Sequence, residues 1–226
     1  MINDKDPECS TCPVQEKICL RENGKGPLSC PTVNMGEAIE SALKRYDEPE
    51  IARFARAASI QEAECYADRH TRPFKVLPIK TRVEEIAEFA ERMGYKKLGL
   101  AFCVGVMNEA SILVKILKNY GFELVSVVCK VGRVPKERIG LRAEEKILKD
   151  QFEVMCNPIA QAEVLNRART DFNIMMGLCV GHDALFLKHV NAYTTVFAAK
   201  DRVLGHNPMA ALYLSKSYYR RLQEKR

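Results

Sequence analysis

The chain has 226 residues, enough for one sizeable domain and a small appendage. Its composition, 47% hydrophobic and 28% charged, is that of an ordinary soluble globular protein. No window approaches the roughly 18 apolar residues of a membrane span, and the formal charge of +6 is too modest to define a nucleic-acid binder.

The start, MINDKDPECSTC, is polar and acidic without an apolar stretch, so a signal peptide is not expected and a cytoplasmic address is. In that reducing setting nine cysteines argue for metal ligation or thiol chemistry rather than disulfides. The charge of +6 counts every cysteine as neutral. A four-thiolate site holding a 2+ centre carries about −2, so two such sites would leave roughly +2. Much of the remainder lies in the tail KSYYRRLQEKR, which no basic-aromatic platform accompanies; nucleic acid is therefore an unlikely partner.

Residues 1–35 lack hydrophobic periodicity and are rich in Cys, Pro, Gly and Asn, so a bound metal would have to supply their folding free energy. Residues 36–80 read as a helical linker region. One stripe is formed by Ala38, Ile39, Ala42 and Leu43, another by Ile51, Phe54, Ala55 and Ala58, with a break at Asp47-Glu48-Pro49. The stretch Pro73–Pro78 reads as the connection to residues 81–226. There a helix carrying Val83, Ile86, Ala87, Phe89 and Ala90 stops at Gly94. The apolar run Lys97–Cys103 predicts a strand covered on both faces. Asn108 is placed to cap a helix with Ile112, Leu113, Ile116 and Leu117. Then come a strand at Leu124–Cys129, a helix around Ala143–Leu148, and a strand at Phe152–Cys156. A helix from Pro158, a strand at Phe172–Cys179, a short helix at Asp183–Val190 and a strand at Thr194–Ala199 follow. Asn207-Pro208 opens the last helix. Five strands alternating with helices predict an α/β fold: a doubly wound, Rossmann-like parallel sheet behind a small cysteine-rich segment. Neither GxGxxG nor a GKS/GKT phosphate loop occurs.

Two groups of cysteines carry the chemistry. Cys9, Cys12, Cys19 and Cys30 offer the four thiolates that a tetrahedral zinc site or a cubane iron–sulfur cluster needs. The single Cys-x2-Cys pair with irregular later gaps, and the prolines after Cys12 and Cys30, favour a cluster; zinc stays open, as do four unliganded thiols. Cys103, Cys129, Cys156 and Cys179 each end a predicted strand. In a parallel sheet such residues meet at the carboxyl edge, where open α/β sheets bind ligands. Neighbouring strands stand about 4.8 Å apart, so two or three of these thiols can share a centre more easily than four. Core filling is the bland alternative, because a reduced cysteine is a good small hydrophobe. His182 follows Cys179 at a spacing compatible with shared ligation, while Asp183 suits a helix cap. Lys200, Asp201, Arg202 and His206 follow the last strand and either bind an anion or solvate a loop. Cys65 belongs to a helix, on one face with Asp68, and reads as core; His189 reads as surface.

The segments CSTCPVQEKIC, CVGHDALF and KDRVLGHNPMAALY together resemble a prokaryotic family labelled only as cysteine-rich or metal-binding proteins of unknown function, the DUF 1847 type. The resemblance runs over most of the chain. It implies cysteine-ligated metal at Cys9, Cys12, Cys19 and Cys30, draws interest to Cys179 and His182, and brings no reaction with it. The expected protein is thus cysteine-ligated and metal-binding, iron–sulfur before zinc. Its second thiol-rich site at the sheet edge, Cys103, Cys129, Cys156, Cys179 and His182, would do redox or sulfur chemistry with a small-molecule or redox partner. The competing reading is a zinc-stapled, non-catalytic module that binds a small ligand, carries metal or regulates. Oligomeric state and substrate are not legible in the chain.

Overall fold

The computed structural model describes residues 6–73 and 76–224. Two compact units divide the chain, Met1–Glu64 and Cys65–Arg226.

In the first unit a single 3-10 turn at Cys9–Thr11 precedes α1 (Pro31–Asn34), α2 (Gly36–Arg45) and α3 (Pro49–Glu64). The loop before α1 folds back on itself. The Lys25 amide donates to the Glu16 carbonyl at 2.8 Å and the Ile18 amide to the Lys25 carbonyl at 2.9 Å. A Cβ at Gly24 would lie 2.5 Å from the backbone of Lys17 and Ile18, so this close approach requires glycine. The expected break falls where Pro49 opens α3. The expected apolar stripe of α2, by contrast, is not covered: Ile39 and Leu43 are exposed, and α2 buries no residue. No residue from Asp6 to Arg56 is buried.

The second unit opens with an antiparallel ribbon, β1 (Tyr66–Ala67) against β2 (Leu77–Pro78). After it come α4 (Arg82–Arg92), β3 (Lys97–Phe102), α5 (Met107–Asn119) and β4 (Glu123–Val128). They are followed by α6 (Pro158–Ala168), β5 (Phe172–Met176), α7 (His182–His189), β6 (Thr194–Ala198) and α8 (Met209–Tyr213). Thr81 and Glu84 form a capping box that starts α4, and Gly94, with φ +71, lies just past its end. Ile86, Ala87, Phe89 and Ala90 of α4 are buried, as their spacing predicts. Strands β3 to β6 form one parallel sheet in the order β4-β3-β5-β6. The chain runs outward from β3 to β4, then returns past β3 to β5. At such a reversal open α/β sheets form a ligand-binding crevice, which the strand order puts between the carboxyl ends of β3 and β5. The central strands β3 and β5 are almost wholly buried, which explains their continuous apolar runs. Among the described residues no helix is long and apolar enough to cross a membrane.

The sheet has four strands, not the five expected. Phe152–Cys156 is no strand; Val154 makes one isolated antiparallel bridge to Pro135. The neighbouring backbone groups pair with residues 134–136: the Lys136 amide donates to the Glu153 carbonyl at 3.0 Å, and the Met155 amide to the Val134 carbonyl at 2.8 Å. Burial is inverted as well, because Glu153 is buried on the Lys136 ammonium (2.6 Å) while Phe152 is exposed. The helix expected around Ala143–Leu148 contracts to a 3-10 turn at Ala143–Glu145. Asn108 lies inside α5, whose first turn has no side-chain cap, and its buried stripe is Ala110, Leu113 and Leu117, with Ile112 exposed. Pro208, without a side-chain cap bond, precedes α8. The strand that was to end at Cys179 stops at Met176, where Gly177 takes φ +66.

Gly99 lies at the centre of β3, and a Cβ there would stand 2.0 Å from Oδ1 of Asn173 on β5. That oxygen already accepts from the Thr170 hydroxyl at 2.8 Å, and Asn173 is fully buried, so it cannot yield. Gly99→Ala is expected to lower unfolding free energy by about 1–3 kcal/mol, read as a lower urea midpoint without a change in slope.

Candidate functional site

Hydrogen bonding continues past the carboxyl ends of the strands and places three cysteines. The Cys103 amide donates to the Met176 carbonyl at 3.1 Å, and the Cys129 amide to the Phe102 carbonyl at 2.8 Å. The Cys129 carbonyl in turn accepts from the Asn157 amide at 2.8 Å, which brings Cys156 to the same edge without a strand of its own. Asn157 also caps α6 by accepting from the Ala160 amide at 3.1 Å. From the second turn of α6, fully buried Gln161 donates through Nε2 to the Phe102 carbonyl (3.1 Å) and the Val127 carbonyl (2.7 Å). One amide thus ties the ends of β3 and β4 beneath the thiols.

The three sulfurs form a row with Cys129 in the middle. Cys129 is 2% exposed, interacts through its thiol with both Cys103 and Cys156, and its sulfur accepts from the Val104 amide at 3.4 Å. The hydrogen bond to Cys129 holds the Cys103 thiol far below its ordinary value, at about 5, against the opposing effect of burial. The Gly105 backbone and the Lys200 ammonium act in the same direction. Cys156 is likewise lowered to about 5, first by Cys129, with Lys130 and His182 acting in the same direction against burial. Cys129 is pushed up, by its two thiol neighbours and by burial. Lys200 reaches this row across the crevice: a Cβ at Gly105 would lie 3.6 Å from its Nζ, and one at Gly177 would lie 3.8 Å from it.

The other expected site residues lie elsewhere. The Cys179 sulfur accepts from Nη2 of Arg202 at 3.1 Å. The Cys179 carbonyl accepts from the His182 amide at 3.0 Å, which closes the Cys-x2-His turn through backbone, and Nδ1 of His182 is buried with no hydrogen-bond partner among the described residues. Asp183 is not the cap of α7; Gly181 occupies that place, and the Asp183 carboxylate accepts from the Ala184 amide at 2.7 Å. Of the group after β6, Asp201 and His206 shape the loop. Asp201 Oδ1 accepts from the amides of Val203 (3.0 Å) and Leu204 (2.8 Å), and His206 Nδ1 accepts from the Asp201 amide at 3.2 Å. The cations Lys200 and Arg202 go to sulfur. α3 ends before Cys65, so Cys65 and Asp68 share no helix face; the buried Cys65 thiol donates to Glu85 at 3.3 Å. His189 is on the surface, its Nδ1 2.7 Å from the Leu185 carbonyl.

The four leader cysteines are free, Cys9 and Cys19 exposed, Cys12 and Cys30 half-buried. Four thiols suit a soft metal or a cluster as a donor set. Among the described residues, however, no three Cys, His, Asp or Glu side chains are gathered as an ion would require.

Sequence reasoning missed Gln161 and Lys130. A glutamine on an amphipathic helix reads as surface, and nothing in its spacing reveals two strand carbonyls above it. Lys130 did carry a signal, since it directly follows a strand-end cysteine; its Nζ donates to the Val154 carbonyl at 2.6 Å beside Cys156.

Fold and edge together define a cysteine-rich α/β protein that presents a row of thiols at the open end of a parallel sheet. The chain belongs to the family described as protein of unknown function (DUF1847), whose profile matches residues 30–197. It is 42% identical over 217 residues to the uncharacterized protein MJ0455 of Methanocaldococcus jannaschii, a match covering 96% of this chain and 98% of that one. The profile begins at Cys30 and takes in all four cysteines of the sheet unit after Cys65.

Thiolate is lost as pH falls through a thiol's pKa, so Cys103 and Cys156 should still react at pH 6, where an ordinary thiol is only about 0.3% ionised. Brief iodoacetamide labelling at pH 6, quenched with acid and mapped by mass spectrometry, should mark these two ahead of the exposed Cys9 and Cys19. Lys200→Met should slow labelling of Cys103 at pH 6 and leave it nearly unchanged at pH 9.

Proposed function

We propose that this is a thiol-dependent protein that carries out redox or sulfur chemistry at the carboxyl edge of its Rossmann-like sheet. One observation supports this reading above the rest: Cys103, Cys129 and Cys156 arrive from three separate segments and line up beside Lys200 and Lys130. Cysteines that merely fill a core need no ammonium groups beside them. Here the outer thiols are held toward the nucleophilic form while the central one keeps its proton, as thiol exchange requires. His182, whose Nδ1 is buried and has no hydrogen-bond partner among the described residues, lies within electrostatic reach of Cys156. Limited hydrogen peroxide added to fully reduced protein should consume Cys103, Cys129 and Cys156 before Cys65 and faster than the exposed leader thiols. Leader thiols oxidised first, with the edge inert, would favour the zinc-stapled binding module instead.

A second reading concerns the leader, where the backbone is folded back although nothing from Asp6 to Arg56 is buried. A unit without a core needs a covalent or metal staple to hold its shape. Cys9, Cys12, Cys19 and Cys30 would hold it, drawn together on binding. An iron–sulfur cluster there would supply electron transfer, whereas zinc would supply folding energy alone. Protein prepared without oxygen should contain iron and sulfide, or zinc, in elemental analysis. A Cys9→Ser, Cys12→Ser double variant should lose that metal and become cleavable in its first 48 residues by dilute protease. Unchanged metal content in the double variant rejects leader ligation.

A further inference from the structure

We infer that Cys103, Cys129 and Cys156 form a relay that carries two reducing equivalents from the outer thiol, Cys156, through buried Cys129 to Cys103, which reduces a small anionic disulfide in the crevice beside Lys200. This rests on the proposed thiol chemistry of the edge and adds the order of the sulfurs and the substrate class.

The order follows from access and neighbours. Cys129 is 2% exposed and sits between Cys103, which is 9% exposed and lies beside Gly105, and half-buried Cys156, so it is the least accessible of the three. Cys156 is half-buried and belongs to no strand, standing just before α6. Cys103 lies at the crevice between β3 and β5, where a Cβ at Gly105 would stand 3.9 Å from its sulfur and 3.6 Å from Nζ of Lys200. The row therefore runs from half-buried Cys156 to Cys103 at the reversal of strand order where open α/β sheets bind ligands.

The substrate class follows from the cations. Lys200 is directed to Cys103 and Arg202 to Cys179, and neither pairs with a carboxylate among the described residues. The acid between them in sequence, Asp201, is engaged by the backbone amides of its own loop. Two such cations beside soft nucleophiles suit a molecule that is electrophilic at sulfur and negatively charged nearby. Glycine at positions 105 and 177 lets the ammonium lie close to the backbone, with the Val106 side chain packed beside Gly177.

The chemistry balances. Cys103 thiolate attacks one sulfur of the disulfide R–S–S–R, releasing RS⁻ and leaving Cys103–S–S–R. Cys129, passing its proton to the departing group, attacks the Cys103 sulfur and releases RSH, so the protein holds a Cys103–Cys129 disulfide. Cys156 thiolate then attacks the Cys129 sulfur, freeing Cys103 as thiolate and leaving a Cys129–Cys156 disulfide that an external dithiol reduces at Cys156.

The test uses the full reduced chain without oxygen and one equivalent of dithiobis(nitrobenzoate), an anionic disulfide whose released thiolate is coloured. Two coloured thiolates should appear per reagent bound at the edge. Acid-quenched peptide maps should show Cys103–Cys129 and then Cys129–Cys156 linkages, without Cys103–Cys156. Cys129→Ser should release one thiolate and keep the mixed disulfide on Cys103. Cys156→Ser, an outer and better tolerated change, should stop at Cys103–Cys129. Lys200→Met should slow the anionic reagent about tenfold and an uncharged dipyridyl disulfide much less. A dominant Cys103–Cys156 linkage, or a Cys129→Ser protein with two-for-one release, overturns the relay. A mixed disulfide that persists on Cys103 of the unaltered protein sinks the relay alone; a Cys103 that never reacts sinks the thiol chemistry of the edge as well.

Discussion

The side-chain amide of Gln161 donates both its protons to carbonyls of different strands, and the placement of the thiols depends on that bridge. Parallel strands are held side by side by slanted ladder bonds, but beyond their last paired residues nothing in the ladder fixes how the chain leaves the sheet. Phe102 and Val127 are at that exit point on β3 and β4, and their carbonyls are buried. The Phe102 carbonyl already accepts from the Cys129 amide at 2.8 Å, so the two bonds from Gln161 act as an additional tie between the exits of β3 and β4. Cys103 and Cys129 follow directly, and the bond from Asn157 to Cys129 brings in the third thiol.

The two units solve the problem of stability in opposite ways. The sheet unit buries apolar strands and helix stripes, and that burial offsets the cost of carrying Gln161 and Asn173 inside, whose Oε1 and Nδ2 atoms have no hydrogen-bond partner among the described residues. The leader buries nothing up to Arg56 and relies on turns, a tight glycine and whatever its four sulfurs can hold. Chemistry placed in the sheet unit rests on a buried scaffold, and the leader up to Arg56 offers none.

Most of the sheet was legible because a strand covered on both faces has to be apolar throughout, and Lys97–Phe102 and Phe172–Met176 are. The same signal misled at Phe152–Cys156, where the run is apolar at alternate positions but its hydrogen-bonding partners are loop residues 134–136. Periodicity reports what a segment could bury and is silent about which backbone lies beside it. At the edge, Cys103, Cys129 and Cys156 lie in a row and Cys179 turns to Arg202, and among the described residues no three of these side chains are gathered as one ion would require. That Asp201 and His206 would serve the loop while Lys200 and Arg202 turned to sulfur could not be seen, since adjacent charged residues differ only in how the loop bends.

A thiol has one hydrogen, and Cys129 has two neighbours that benefit from it. It can solvate only one outer sulfur at any instant, so Cys103 and Cys156 compete for the same donor. Capping either one surrenders the hydrogen to the other and sharpens it. The two ends of the row are thereby antagonists within a single polypeptide, and the reactivity of one carries information about the state of the other.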